Sequence, residues 1–360
     1  MKVAVVLGTR PEIIKLSPVV RELERRGIEF FILHTGQHYS YNMDRVFFEQ
    51  LRLPEPRYNL GVGSGTHAEE TGRMMIGVER VLLEERPDVV LVEGDTNSVV
   101  SGALAAVKLG VLVGHVEAGL RSYDRGMPEE INRVVADHVS DFLFAPTFRA
   151  RDNLVREGIS EEKIYVTGNT IVDAVYQNLG FVDDVDVLDD LGVGEREYFL
   201  VTVHRQENVD DGGRLRGILE GLRLVHECYG LPIIYPVHPR ARKRIEEYGL
   251  GADGITLIDP VDYFAFLRLE RDARLIFTDS GGVQEEACIL RVPCVTLRYN
   301  TERPETIEVG GNVLAGADPK EILEKTRIMM DARRDWVNPF GDGRAGERIV
   351  KILMEDGLKP

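Results

Sequence analysis

At 360 residues with a formal net charge of −16, the chain is long enough for two ordinary domains and too acidic to bind nucleic acid or an anionic membrane through its overall field. Its 43% hydrophobic and 29% charged residues describe a soluble globular protein, no apolar run approaches the ~20 residues of a membrane span, and Met1-Lys2 leads into a strand-like run rather than a signal peptide, so a cytoplasmic location is expected. The three cysteines, Cys228, Cys288 and Cys294, have no metal-ligand spacing and read as reduced residues, two of them in apolar surroundings.

Lys2 to Leu7 is a continuous apolar run of the kind a buried parallel strand shows. Gly8-Thr9-Arg10-Pro11-Glu12 follows, then a helical pattern over Ile13 to Arg26 that Pro11 is suited to start. Strand-like runs recur at Glu29 to His34, Asp88 to Glu93, Val111 to Glu117, Phe142 to Ala145 and Ile164 to Thr167, with helical patterns between most of them. This alternation predicts a parallel sheet covered by helices, a first domain over residues 1–180. Phe181 to Glu197 carries five aspartates between Asp183 and Asp190 and reads as a surface crossing, 181–197. A second series follows at Tyr198 to Val203, Pro232 to Val237, Ile255 to Ile258, Arg274 to Thr278 and Pro293 to Leu297, giving a second domain over 198–340. Asn338 to Gly343 makes a corner before an amphipathic helix from Ala345 to Met354, within a terminal segment 341–360. Two doubly wound α/β halves place a ligand between them, at the carboxyl ends of the strands.

The residues at those strand ends carry the chemistry. Gly8 to Glu12 with Lys15 is neither a Walker A loop nor GxGxxG, so the usual ATP and dinucleotide fingerprints are missing. Asp95 follows the third long run, Glu117 ends the fourth, and Glu129 opens the helix of Pro128-Glu129-Glu130. In the second half, Val203 leads to His204-Arg205-Gln206-Glu207-Asn208 and Val237 to His238-Pro239-Arg240. Thr278-Asp279-Ser280-Gly281-Gly282 joins a strand to a helix read as starting at Val283, whose free N–H groups favour an anion, best a phosphate. Glu285 and Glu286 are placed in that helix's first turn, where a carboxylate suits the dipole or accepts ribose hydroxyls. Taken singly, each residue has a plain structural reading: a cap for Asp95, first-turn positions for Glu129 and Glu130, a core histidine for His204. His34 and His38 straddle Thr35-Gly36, which breaks a helix and argues against a metal there. The coincidence decides: carboxylates gather on one wall, a phosphate cradle and a histidine on the other. That division suits a nucleotide-activated sugar undergoing proton transfer, with Arg10, Lys15 and Arg205 offsetting diphosphate charge.

GTRPE at Gly8 to Glu12, GDT at Gly94 to Thr96, GHVEAGLR at Gly114 to Arg121, PEEINR at Pro128 to Arg133, TDSGGVQEEA at Thr278 to Ala287, TERPET at Thr301 to Thr306 and NPFGDG at Asn338 to Gly343 resemble the non-hydrolysing UDP-N-acetylglucosamine 2-epimerases. The resemblance runs from the first strand to the last helix in consistent order. It implies a GT-B type fold of two Rossmann-like halves, a homodimer, and a C-terminal helix that crosses back to the first domain. It also implies interconversion of UDP-N-acetylglucosamine and UDP-N-acetylmannosamine through elimination of UDP, 2-acetamidoglucal and re-addition, with no cofactor and no metal. Asp95, Glu117 and Glu129 match the family's catalytic carboxylates, and His204 its histidine at the UDP phosphates. Arg10, Ser280, Gly281, Gly282 and Glu286 match UDP contacts, with Glu286 on the ribose.

Two departures accompany the match. Gln206 stands where bacterial members often carry an arginine, so one positive charge is missing. Of an activating second UDP-sugar site found in some members, Gln37, Arg205 and His238 match, whereas Ser40 replaces the second glutamine. Hydrolysing 2-epimerases, epimerases of a modified sugar such as a diacetamido uronic acid, UDP-sugar glycosyltransferases and a non-enzymatic UDP-sugar sensor are the rival readings.

Overall fold

The computed structural model describes residues 1–36 and 41–356. The chain divides into two units: the first runs from Met1 to Tyr176 and resumes at Phe340, and the second is the continuous stretch Gln177–Pro339. Residues 181–197, expected from their aspartates to cross between domains, lie within the second unit. The short helix Val187–Leu191 places Val187 and Leu188 in a core with Leu200, Leu269 and Ile276, and that burial outweighs the surrounding charge.

In the first unit, β1 (Lys2–Leu7), β2 (Glu29–His34), β3 (Tyr58–Asn59), β4 (Val89–Glu93), β5 (Leu112–Val116), β6 (Phe142–Ala145) and β7 (Ile164–Val166) form a sheet ordered β3-β2-β1-β4-β5-β6-β7. Every pairing is parallel. The order reverses between β1 and β4, so the loops after those two strands, Gly8–Arg10 and Gly94–Thr96, diverge and leave a crevice at their carboxyl ends.

The second unit repeats this plan with β8 (Phe199–Thr202), β9 (Ile233–Pro236), β10 (Ile255–Ile258), β11 (Leu275–Thr278), β12 (Cys294–Thr296) and β13 (Asn312–Leu314), ordered β10-β9-β8-β11-β12-β13 and parallel throughout. Its reversal lies between β8 and β11, beside His204-Arg205 and Asp279-Ser280. The protein is thus α/β, with the two Rossmann-like parallel sheets of the GT-B type. The sequence reading omits β3 and β13, edge strands of two and three residues with too little apolar pattern to register. Among the described residues no helix is long and apolar enough to cross a membrane.

Helix starts lie earlier than hydrophobic periodicity suggests. The first helix is Arg10–Arg25, because Glu12 at its third position bonds back to the Gly8 and Thr9 N–H groups, each at 2.7 Å. The helix after β11 is Gly281–Ile289, capped at Ser280, so Glu285 and Glu286 fall in its second turn rather than its first. After Asn338-Pro339 the backbone of Phe340 accepts from Asn169 N–H at 2.8 Å. Asp173 then caps the helix Ala345–Asp356 through the N–H groups of Ala345 (3.1 Å) and Gly346 (2.9 Å). That helix lies on Arg10–Arg25, closely enough that a Cβ at Gly346 would come within 3.0 Å of the Pro18 backbone.

One buried group works against the second unit. Glu270, on the helix Tyr263–Arg271, is fully buried and neither carboxyl oxygen has a hydrogen-bond partner among the described residues. Burial, with the nearby Glu286 charge, raises it well above the ordinary 4.5. A raised carboxyl keeps its proton in the folded chain while the unfolded chain gives it up, so its cost appears above pH 4.5 and grows with pH. Glu270→Met should therefore raise unfolding free energy at pH 7.5 by about 1–3 kcal/mol, with a smaller gain at pH 4. Urea melts at the two pH values test this; equal gains, or a loss at pH 7.5, would contradict it.

Candidate active site

The first crevice is built from short loops that hydrogen-bond to one another. Glu12 accepts from the Gly8 and Thr9 backbone, from Thr9 Oγ1 at 3.0 Å and from Thr96 Oγ1 at 2.5 Å, so the loops after β1 and β4 share one carboxylate. Gly8 is required by packing, since a Cβ there would fall 2.0 Å from Thr35 Oγ1 and 2.3 Å from Ser98 Oγ. Arg10 lies at the start of the first helix with its guanidinium over the Phe47 ring, 5.0 Å from the centroid.

Asp95 leaves β4 partly exposed, and the helix Pro128–Val139 holds it. Arg133 of that helix binds the Asp95 carboxylate and, at 2.6 Å, Glu130, while Asn132 donates to the Asp95 carbonyl at 3.0 Å. Glu129, Asn132 and Arg133 stand at i, i+3 and i+4 and so share one helix face, from which Asn132 and Arg133 reach the Asp95 loop. The neighbouring Glu130 is spent on structure: it accepts from Ser122 and Tyr123 N–H at 3.0 Å each.

Glu117 follows β5 in the left-handed region, φ +69°, where a residue with a Cβ is strained by about 1–3 kcal/mol. A buried network holds this conformation. His115 reaches Asp137 at 2.7 Å through Nδ1 and the Gly94 carbonyl at 2.8 Å through Nε2, and Asp137 also accepts from Gly119 N–H and Arg121. Burial opposes the Asp137 charge, yet His115 and Arg121 outweigh it and keep the carboxyl below its ordinary range. The loops that carry Asp95 and Glu117 are therefore fastened to the same pair of side chains.

Lys15 is placed differently from the sequence expectation. Its ammonium is buried between Glu117, in a short contact, and Glu93 at 3.4 Å, so its charge is committed to two carboxyls of its own unit instead of a diphosphate. Glu93 itself reads in sequence only as the end of an apolar strand.

In the second unit, Asp279 organises the switch point. It is fully buried, and its carboxylate accepts from His204 N–H (3.1 Å), Arg205 N–H (3.0 Å) and Asn208 Nδ2 (3.1 Å), with His204 Nδ1 at 3.2 Å. Burial opposes this charge, but His204 and the backbone donors prevail and hold Asp279 below its ordinary 3.8. His204 is left with 47% of its side chain exposed above the loop, its ring 6.5 Å from that of His238. His238 caps the helix Pro239–Glu247 by accepting from Arg240 N–H. Arg205 donates to the Asp279 carbonyl at 2.9 Å and faces Glu302 at 3.8 Å. Behind them, Arg298 clasps Glu302 through two 2.9 Å bonds and Arg303 binds Glu285 at 2.5 Å, so the TERPET stretch braces the helix Gly281–Ile289.

At the start of that helix the first intrahelical bond is Gln284 N–H to Ser280, which leaves the N–H groups of Gly281, Gly282 and Val283 pointing off its end. Neither glycine has a positive φ, and a Cβ on either would meet no atom closer than 3.8 Å. Conformation and packing do not require glycine at 281 and 282. Glycine at both positions leaves the backbone N–H groups without side-chain cover, an arrangement suited to an anion. Glu286, one turn on, is buried. Gln37, matched above to an activating site, and Ser40 lie outside the described residues. Among the described residues no three His, Cys, Asp or Glu side chains form a metal-holding group.

Residues 21–354 match the family model described as UDP-N-acetylglucosamine 2-epimerase. The chain belongs to this family. A UDP-N-acetylglucosamine 2-epimerase of Methanocaldococcus jannaschii is 57% identical over 361 residues, covering 98% of this chain and 99% of that one. The crystal structure of the M. jannaschii enzyme in complex with UDP-GlcNAc and UDP superimposes with a TM-score of 0.94 at 56% identity, over 99% of this chain and 100% of that one. A UDP-2,3-diacetamido-2,3-dideoxy-D-glucuronate 2-epimerase of Pseudomonas aeruginosa is 43% identical, over 99% of this chain and 100% of that protein. Membership makes the chain an isomerase by class.

Proposed function

We propose that the protein interconverts UDP-N-acetylglucosamine and UDP-N-acetylmannosamine by eliminating UDP across C1 and C2 and adding it back after C2 has been protonated on the opposite face. The observation that carries this reading is the near full-length identity of 57% to an enzyme of that name, together with carboxylates at one switch point and a bare N–H cradle at the other. The C2 proton has no neighbouring carbonyl to acidify it, so departure of UDP must precede or accompany its removal. The N–H groups of Gly281, Gly282 and Val283, with Ser280, His204 and Arg205, receive the charge that builds on the leaving diphosphate, and Arg10 adds a cation. Glu286 takes the ribose hydroxyls. Asp95 and Glu117 share the C2 proton transfers, and Glu129 holds sugar hydroxyls. A homodimer follows the family resemblance, and light scattering measures it. A UDP-sugar substrate and reduced cysteines suit the cytoplasm.

The test is proton NMR of the protein with UDP-N-acetylglucosamine in deuterated water. Deuterium should enter C2 as the UDP-N-acetylmannosamine signal grows, with UDP remaining sugar-linked. Product without deuterium at C2 would sink the elimination mechanism, and accumulating free N-acetylmannosamine with UDP would mark a hydrolysing enzyme. The 43% relative favours one second reading, a diacetamido uronate substrate. Faster C2 exchange on that sugar than on UDP-N-acetylglucosamine would select it.

A further inference from the structure

Glu93 ends β4 and Glu117 follows β5, its pairing partner, so the two carboxyls emerge side by side. Both are buried, and one ammonium, that of Lys15, lies between them. The titratable groups that face Glu93 are Lys15 and Glu12 from the helix Arg10–Arg25 and Glu117 from the end of β5, while Asn169 reaches Glu117 at 3.4 Å from the turn after β7. Glu12 already accepts from four donors, and Lys15 supplies one positive charge for the remaining two carboxyls. Two buried carboxyls that share one ammonium repel each other when both are ionised, which favours keeping one proton in the pair.

We propose that Glu93 and Glu117 form a single unit bridged by Lys15, in which Glu93 holds the proton and donates it in a hydrogen bond to Glu117, so that Glu117 meets the sugar as a carboxylate. This rests on the reading of Glu117 as an acid–base residue. Glu93 is then a positioning residue, acting on the substrate only through its neighbour. Burial, then the Glu117 and Glu12 charges, push the Glu93 carboxyl well up against the pull of Lys15, in keeping with that role.

A pH signature follows. When Glu93 finally ionises, a second negative charge appears beside Glu117, Lys15 is divided between two anions, and turnover falls on the alkaline side. Glu93→Gln keeps an N–H donor of the same length but cannot ionise. It should retain at least about a tenth of kcat and move the alkaline limb of the kcat profile up by about one pH unit or more. Glu93→Leu offers no donor and should lower kcat about tenfold or more, with the Kd for UDP unchanged.

The C2 exchange assay on the full-length protein between pH 6 and 10 reads both. A Glu93→Gln profile identical to wild type overturns the proposal, as does wild-type kcat in Glu93→Leu; if a thermal melt shows that Glu93→Leu is unfolded, Glu93→Gln decides alone. Glu117→Gln separates the two levels. Exchange persisting in Glu117→Gln would remove the parent reading, whereas an inactive Glu117→Gln beside an unshifted Glu93→Gln would remove only the role given to Glu93.

Discussion

Replacing Glu117 with glutamine should lower the rate of C2 hydrogen exchange about 10²–10⁴-fold, and Asp95→Asn should do the same, while both variants bind UDP with wild-type affinity. The split is expected because both carboxylates belong to the first unit, at the ends of β5 and β4, and the N–H cradle belongs to the second. Exchange followed by NMR and UDP binding by calorimetry measure the two quantities. Retained exchange in either variant would remove that residue from the chemistry. Glu117→Gly adds an internal control: at φ +69° glycine relieves strain, so this variant should be as inactive as Glu117→Gln without being destabilised as a buried truncation ordinarily is.

The second large effect is expected at Asp279. Asp279→Asn keeps the size of the side chain but turns an NH₂ group toward N–H donors of His204, Arg205 and Asn208, so a buried carboxylate that accepts from three residues becomes mismatched. Unfolding free energy should drop by about 3–5 kcal/mol, and UDP should bind at least about tenfold more weakly because the His204-Arg205 loop loses its anchor. The pH dependence has a fixed sign. A carboxyl held below its ordinary 3.8 stabilises the fold above that value and loses the contribution as pH falls through its folded-state value, so wild type and variant should converge in acid. His204→Ala offers the contrast: Asp279 loses one ring partner but keeps the backbone N–H groups of residues 204 and 205 and Asn208 Nδ2, so stability should fall less than in Asp279→Asn while UDP affinity falls. Equal stability of Asp279→Asn and wild type at pH 7 would show that the loop is held by something else.

Much of this site is legible in the sequence because function in doubly wound sheets gathers at strand ends, and strand ends can be read from apolar runs. Asp95, Glu117 and His204 are singled out in that way as candidates, and the structure places each within two residues of the end of a strand that lies at a reversal of strand order or one strand beyond it. What resisted reading were partners brought together from distant sequence. Lys15 follows Arg10 by little more than one turn, and nothing in that spacing reveals that its ammonium reaches the ends of β4 and β5. Glu93 closes the run Val89–Glu93; a glutamate ending an otherwise aliphatic buried strand is the signal that could have singled it out. Asp279 reads in sequence as part of a turn, because the four donors that surround its carboxylate all come from residues 204 to 208, 71 to 75 positions away. Glu285 and Glu286 were displaced by a turn because Ser280 starts its helix through two glycines, residues that ordinarily argue against one.

The way the chain divides also fixes an order of assembly during synthesis. The second unit is one uninterrupted stretch, Gln177–Pro339, whereas the first lacks the helix Ala345–Asp356 that lies on Arg10–Arg25 until that helix has been made. A chain emerging from the ribosome can therefore close its second unit while the unit that carries Asp95 and Glu117 still has one side of its first helix bare.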